Sequence, residues 1–124
     1  MNIEQVREYC LKKKGVTEEL PFDEDSPVYK VMGKIFLIAS LTPPFTINVK
    51  CDPEKAVELR ERYPAVTPGY HMNKLHWNTI EIEGTVKNSL IEEWIDHSYD
   101  LVVNGLKKSL KEDLINLDSQ KNRK

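Results

Sequence analysis

Cysteine is scarce in this chain, which has only Cys10 and Cys51 among 124 residues. The two lie far apart and in different predicted elements, so neither a disulfide framework nor a Cys-x-x-Cys metal clamp is indicated. We interpret both as small buried hydrophobic residues. The sequence therefore predicts neither a bound metal nor a cofactor.

Long hydrophobic runs are also missing. The longest, residues 35–39, lies between Lys34 and Ser40 and is far shorter than the roughly 20 residues of a membrane span. The first residues form an acidic, helix-forming sequence without the basic and apolar blocks of an export signal. We therefore expect a cytoplasmic protein that has no membrane partner.

A large excess of charge of one sign is absent as well, since the formal net charge is -2 and the isoelectric point is near 5.9. This balance argues against a protein whose whole surface coats nucleic acid, although it is compatible with a local basic face. Hydrophobic residues make up 40% of the chain, which is enough for one folded core. We predict a single domain over residues 1–118 and a flexible C-terminal tail over residues 119–124.

The beginning of the chain predicts a helix followed by an acidic loop. Asn2 and Gln5 have the spacing of a capping box, and Gly15 supplies the stop signal. The lysine run 12–14 lies at the C-terminal end of this helix, where cations complement the helix dipole, so we favour that structural role over a basic patch. Residues 18–25 are rich in carboxylates and are predicted to form a solvated loop.

Three strands are predicted next. Residues 28–31 and 34–40 form a hairpin around the tight turn Met32-Gly33, in which glycine supplies the backbone freedom that the turn needs. Residues 45–50 alternate between apolar and polar side chains, as expected for a strand with one buried face. The side chains predicted to face the core are Phe45, Ile47 and Val49, and those predicted to face outward are Thr46, Asn48 and Lys50.

Capping signals predict two further long helices. Asp52 followed by Pro53 begins one, and Ser89 with Glu92 begins the other. Their apolar stripes are Ala56, Val57 and Leu59 in the first and Ile91, Trp94, Ile95, Ser98, Leu101 and Val102 in the second. A short extra helix is predicted from Leu106, Leu110, Leu114 and Leu117.

The segment between these helices predicts the last strands. Residues 64–70 are extended, and residues 75–83 form a strand in which Ile80 and Ile82 share the core face. On this parity Trp77 points the other way, but tryptophan is also a good core residue, so the sequence leaves its burial open. The order α-β-β-β-α-β-β-α predicts an α+β fold, a two-layer sandwich with an antiparallel sheet and its helices on one face.

One segment carries more polar side chains than folding requires. It contains two histidines, two aromatic residues, a lysine and two asparagines within twelve residues. Its sequence is Pro68-Gly69-Tyr70-His71-Met72-Asn73-Lys74-Leu75-His76-Trp77-Asn78-Thr79.

This segment resembles a run found in the MmcQ/YjbR family, and the resemblance covers nearly the whole chain. Further matching motifs are Tyr29-Lys30-Val31 with Gly33-Lys34-Ile35-Phe36, Leu59-Arg60-Glu61 with Tyr63-Pro64, and Ile95-Asp96-His97-Ser98-Tyr99-Asp100-Leu101-Val102. The resemblance implies the same order of helices and strands, a fold similar to secretion-chaperone and frataxin-like sandwiches, and a DNA-binding role in a bacterial protein.

Nucleic-acid binding requires lysines that meet phosphates and aromatic rings that stack on bases. The candidate residues are Lys30, Lys34, Lys50, Tyr70, His71, Asn73, Lys74, His76 and Trp77. The alternative is structural: the aromatic rings brace the sheet, the histidines satisfy backbone groups of a tight loop, and the lysines are solvated. We predict weak DNA binding through the surface around residues 70–77.

Metal and catalytic sites are less well supported. His71 and His76 have no acidic or cysteine neighbour, so a metal site would need distant help from Asp96 or His97. The run Asp96-His97-Ser98 contains the residue types of a catalytic triad, but successive helical residues point about 100° apart and cannot form a relay. We therefore expect a protein that is not an enzyme.

His97 lies one helical turn from Glu93 on one side and from Asp100 on the other. Carboxylates at these spacings contact a histidine on the helix surface. We predict that they hold His97 and raise its pKa.

A protein-interaction module is the alternative function. Similarity to the secretion-chaperone fold and the acidic net charge are both compatible with peptide binding at a sheet edge. The positions of the lysines distinguish the two functions. One contiguous basic face favours DNA, whereas scattered lysines beside an exposed apolar groove favour a protein partner.

Overall fold

The computed structural model describes residues 1–69 and 72–121, with the backbone alone for residues 118–121. Within these ranges no helix is long and apolar enough to cross a membrane. The elements are α1 (Ile3–Leu11), β1 (Val16–Glu19), β2 (Val28–Val31), β3 (Lys34–Ala39), β4 (Thr46–Lys50), α2 (Pro53–Arg62), β5 (Val66–Pro68), β6 (Trp77–Glu81), α3 (Asn88–Asn104) and α4 (Lys108–Lys121).

The strands form one six-stranded antiparallel sheet in the order β1-β2-β3-β4-β6-β5. Helix α1 packs on β1, α3 packs on β2, β3 and β4, and α2 packs on β5 and β6. Buried side chains from all four helices join one hydrophobic cluster with the covered face of the sheet. The predicted α+β two-layer sandwich is therefore confirmed.

The alternation predicted from the sequence is confirmed in β4. Ile47 and Val49 are buried, and Phe45 packs against the same cluster from just before the strand. Ile47 pairs with Ala39 on one side and with Ile80 on the other, so it lies in the middle of the sheet. The opposite face of this strand carries the half-buried Thr46, Asn48 and Lys50.

The predicted hairpin turn is also confirmed. Met32 and Gly33 have φ angles of 49° and 83°, the pair of positive values that a two-residue hairpin turn uses. The two strands that this turn joins, β2 and β3, change register at Phe36, which has no partner in β2. Because this bulge inserts one extra residue into β3, the consecutive residues Phe36 and Leu37 are both buried.

An edge strand replaces part of the predicted acidic loop. Glu18 and Glu19 belong to β1, which pairs with β2. The Glu18 carboxylate accepts hydrogen bonds from the Tyr29 hydroxyl at 2.6 Å and from Arg7 Nε at 3.0 Å. The sequence predicted a loop because glutamate has a low strand propensity. The prediction was wrong for these residues because the partners that stabilise β1 are distant in sequence.

The helix starts were predicted with mixed success. In α1 the capping box is confirmed, with Gln5 N donating to Asn2 Oδ1 at 2.8 Å and Asn2 N donating to Gln5 Oε1 at 3.0 Å. The capping box predicted at Ser89 is wrong, because α3 already begins at Asn88 and Lys87 is its N-cap without a side-chain hydrogen bond. On α2, Val57 lies outside the packed face and is 47% exposed.

Helix α4 is longer than the predicted short helix. It has 14 residues and continues to Lys121, into the segment predicted as a tail. Leu114 is buried beside Gly15, whereas Leu117 is 40% exposed. Residues 122–124 of the predicted tail lie outside the described residues.

Candidate nucleic-acid interface

Two of the predicted lysines lie on the sheet face opposite the helices. Lys30 alternates with Tyr29 and Val31, which both belong to the core cluster, so its side chain lies on the other face. Lys50 follows the core residue Val49 in β4, so its side chain also lies on the face opposite the helices. It pairs directly with Trp77 of β6. The sheet therefore presents a lysine on each of two strands that flank β3.

The strand register places Lys50 at the same end of the sheet as Lys34. Val16 pairs with Val31, Val31 pairs with Lys34, and Lys50 pairs with Trp77. The connections 12–15, 32–33, 51–52 and 69–76 join elements at this end, which we call the basic end. Its strand ends and described connections contain Lys12, Lys13, Lys14, Lys34, Lys50 and Lys74, with Asp52 as the carboxylate.

The opposite end of the sheet has the opposite charge. The connections 20–27, 40–45, 63–65 and 82–87 meet there, and we call it the acidic end. Its strand ends and connections contain the carboxylates Glu19, Asp23, Glu24, Asp25, Glu81 and Glu83, with Lys87 as the cation. The small net charge of the chain therefore conceals a separation of charge along the strands.

The predicted lysines differ in their availability to a ligand. Lys34 and Lys74 are exposed, and neither forms an ion pair within the described part of the chain. Lys50 is half-buried. Lys30 Nζ lies 3.1 Å from Glu19 Oε2, so its charge is already partly neutralised. Lys34 and Lys74 are thus the best placed of the predicted lysines to meet phosphates.

Trp77 is buried, which settles the question that its sequence position left open. Only 8% of its surface is exposed, so its ring is not presented for stacking on a base. Gly69 N donates to Trp77 O at 2.8 Å, and a Cβ on Gly69 would lie only 2.8 Å from Trp77 Cβ. Glycine therefore lets the 66–69 backbone lie directly against Trp77.

The polar residues of the described loop mostly hold its backbone. Asn73 Oδ1 accepts from Leu75 N at 2.9 Å, and the Asn73 carbonyl accepts from the backbone N–H groups of His76 and Trp77. The His76 carbonyl accepts from Cys51 N at 2.7 Å. The Asn73 side chain thus has a structural role in the loop, whereas the contacts of His76 are made by its backbone. The predicted residues Tyr70 and His71 lie outside the described residues.

Asp96, His97 and Ser98 have the residue types of a catalytic triad, but their side chains contact different parts of the molecule. The Asp96 carboxylate accepts from the Tyr9 hydroxyl at 2.8 Å and pairs with Lys13. The Ser98 hydroxyl donates to the Phe36 carbonyl at 2.6 Å and accepts from the backbone of β4 at 2.8 Å. His97 Nε2 accepts from the Asp52 backbone N–H at 3.3 Å. These positions form no nucleophile relay.

The pKa of His97 is lowered, contrary to the prediction that its helical neighbours raise it. Burial is the largest cause, and the Lys55 ammonium adds to it. Asp52, Asp100 and Glu93 act in the opposite direction but do not outweigh these two effects. The sequence could not reveal this, because Lys55 approaches His97 from another helix.

The lowered pKa of His97 predicts a loss of stability in mild acid. The unfolded chain, with a histidine pKa of about 6.5, takes up the proton before the folded chain does. The neutral His97 side chain therefore stabilises the fold fully above that pH, and this stabilisation is lost as the pH falls through the lower pKa of the folded state.

Urea unfolding at several pH values should show a steeper loss of stability for the natural chain than for His97→Gln, in which the amide oxygen can still accept from the Asp52 backbone N–H. Parallel curves for the two proteins would contradict this assignment.

Both cysteines are confirmed as buried free thiols. Burial raises the pKa of Cys10 to about 12 and that of Cys51 to about 11, so both are protonated at neutral pH. Among the described residues no three His, Cys, Asp or Glu side chains are grouped to hold a metal ion.

The lysine run 12–14 is the part of this surface that sequence reasoning missed. It was interpreted as a complement to the helix dipole, and Lys12 is indeed the C-cap of α1. The run also forms the connection to β1, at the basic end. The three consecutive lysines were visible in the sequence, but their position beside Lys34 depends on strand register.

Comparison with known proteins identifies relatives. The YjbR family model matches residues 11–101. The chain is 41% identical to Escherichia coli YbdF, over 71% of this chain and 73% of that protein. It is 30% identical to Escherichia coli YjbR, over 94% of this chain and 100% of that protein.

A crystal structure of a Deinococcus radiodurans protein with the DUF419 domain superposes with a TM-score of 0.85 at 32% identity, covering 91% of this chain and 87% of that one. A crystal structure of a Pseudomonas syringae protein has a TM-score of 0.74 at 28% identity, covering 82% and 98%.

Proposed function

This chain belongs to the YjbR family, and we propose that it is a nucleic-acid-binding module that contacts phosphates through its basic end. The observation that supports the proposal is the clustering of Lys12, Lys34, Lys50 and Lys74 at one end of the sheet. Lysines gathered at one end of a protein attract the phosphate backbone even when the net charge of the protein is slightly negative.

The proposed contacts are made to the backbone of the nucleic acid and not to its bases. Ammonium groups on flexible stems act as point charges toward phosphate and carry no sequence information. Trp77 is buried, so its ring is not available to stack on exposed bases. Such stacking is the contact that would favour single strands over duplexes. We therefore expect weak binding with little preference for sequence, and we assign the chain no catalytic step.

The dependence of binding on salt tests this proposal. Each phosphate contact contributes about 0.9 to the slope of log affinity against log salt on duplex DNA. Lys34→Gln and Lys74→Gln should each lower the slope by about one contact, and the double variant by about two. Fluorescence anisotropy with labelled single- and double-stranded oligonucleotides, from low to physiological ionic strength, measures the effect.

A matched control lies at the other end of the molecule. Lys87→Gln removes the cation of the acidic end and should leave the salt slope unchanged. If this variant weakens binding as much as Lys74→Gln does, the basic end is not the binding surface. The absence of saturable binding at low salt, where attraction to phosphate is strongest, would overturn the nucleic-acid proposal.

A protein-interaction role is the second candidate, and exposed apolar side chains favour it. Leu20 and Phe22 are 56% and 67% exposed, and Leu41 is 39% exposed on a neighbouring connection. The backbone N–H of Leu41 donates to the Asp25 carbonyl at 2.8 Å, which holds these two connections together. An exposed aromatic ring beside carboxylates is suited to a partner with basic and apolar groups.

A further inference from the structure

A groove of about 500 Å³ lies beside the basic end. One wall comes from the connection 12–15 and another from the last part of α3, and α4 closes the third side. Such a volume lies within the range of about 300 to 1,000 Å³ that is usual for small-molecule sites. The groove is separate from the exposed lysines Lys34 and Lys74, which do not line it.

The lining of this groove combines apolar and cationic groups. Val103, Leu114 and Ile115 provide aliphatic surface, and Ile115 is 61% exposed at its edge. Lys13, Lys14 and Lys111 also line it. Among the described lining residues there is no carboxylate.

One of these cations is held in place by its surroundings. Lys13 pairs with Asp96, and its Nζ lies 4.9 Å from the centre of the Tyr9 ring and 5.1 Å from that of the Tyr99 ring. Only 18% of the Lys13 side chain is exposed. Lys111 comes from the opposite wall, on α4, and is half-buried. The charge of Lys13 is therefore already partly neutralised by Asp96, whereas Lys111 forms no ion pair within the described part of the chain.

We infer that this groove binds a small amphipathic carboxylate, a molecule with one anionic head and a short hydrocarbon body. The head lies toward the ammonium of Lys111, and the hydrocarbon body covers Val103 and Ile115. Charge complementarity selects an anion, and the aliphatic wall selects a ligand that has an apolar part to bury. A phosphodiester backbone has no such part. This inference does not depend on the proposed nucleic-acid binding.

A titration with octanoate tests the inference on the full-length, isotopically labelled protein. Acetate serves as the probe with the head alone, and octyltrimethylammonium as the probe with the same chain and the opposite charge. We expect saturable amide shifts with octanoate, concentrated in residues 12–15, 99–104 and 108–117, and much weaker shifts with the other two probes. Equal binding of octyltrimethylammonium, or no saturable shift with octanoate, would overturn the inference.

Variants of α4 identify the groups responsible. Lys111→Met keeps an apolar stem and removes the charge, so octanoate should bind about tenfold more weakly, as expected for losing a contact to a charged group. Lys111→Arg should restore most of the affinity. Lys108→Met is the matched control, because Lys108 lies on the same helix but does not line the groove. Equal effects of the two methionine variants would show that the groove does not hold the carboxylate.

Discussion

Replacing Trp77 with alanine is expected to lower the free energy of unfolding by about 3 to 5 kcal/mol, the usual cost of deleting a buried aromatic side chain. The ring is 8% exposed, and the 66–69 backbone lies against the Trp77 residue through Gly69. This segment includes β5, which is paired with β6, so it collapses poorly into the cavity that the substitution leaves, and the cost stays high. Urea or guanidinium unfolding measured by circular dichroism gives the change directly.

Phe22→Ala is the matched control for Trp77→Ala. Phe22 is also aromatic but is 67% exposed, so its removal should change stability by no more than about 0.5 kcal/mol. A loss for Trp77→Ala as small as that of the control would mean that the indole ring contributes little packing. Trp77 would then return as a candidate for stacking on bases.

Ile47→Ala is expected to lower the free energy of unfolding by about 2 to 5 kcal/mol. Ile47 is fully buried in β4, between Ala39 and Ile80 on the neighbouring strands. Helix α3 packs on the same strand, so the lost methyl and methylene groups leave a cavity between the two layers. Denaturant midpoints at constant slope measure the change.

Thr46→Ala is the control for Ile47→Ala. Thr46 is the preceding residue of the same strand, but its side chain lies on the opposite face and is half-buried. Its truncation should be close to neutral, since surface substitutions are usually within about 0.5 kcal/mol. If Thr46→Ala cost more than Ile47→Ala, the assignment of the two sheet faces would be reversed.

The stability predictions also limit how nucleic-acid binding can be tested. A weaker affinity of Trp77→Ala would reflect loss of the folded state as readily as loss of a contact, because the residue is buried on the sheet face that it shares with Lys50. Lys34 and Lys74 are exposed, so glutamine at either position removes charge with little expected effect on folding. The lysine variants therefore separate binding from stability, and the tryptophan variant does not.

Local sequence patterns determined much of the fold. The capping box of Asn2 and Gln5, the turn at Met32-Gly33 and the alternation along β4 each depend on residues within a few positions of one another. Hydrogen bonding at a helix start, positive φ in a two-residue turn and the period of a strand are properties of short segments. These features could therefore be predicted from the amino-acid sequence alone, and the antiparallel two-layer sandwich followed from their order.

Tertiary structure decided the features that depend on distant residues. Strand β1 exists because Val16 pairs with Val31, and the basic end exists because the strand register brings lysines from separate segments together. The pKa of His97 is lowered partly by a lysine from another helix. Burial, strand pairing and long-range charge interactions join residues that are far apart in the chain, so no local pattern of the sequence contains them.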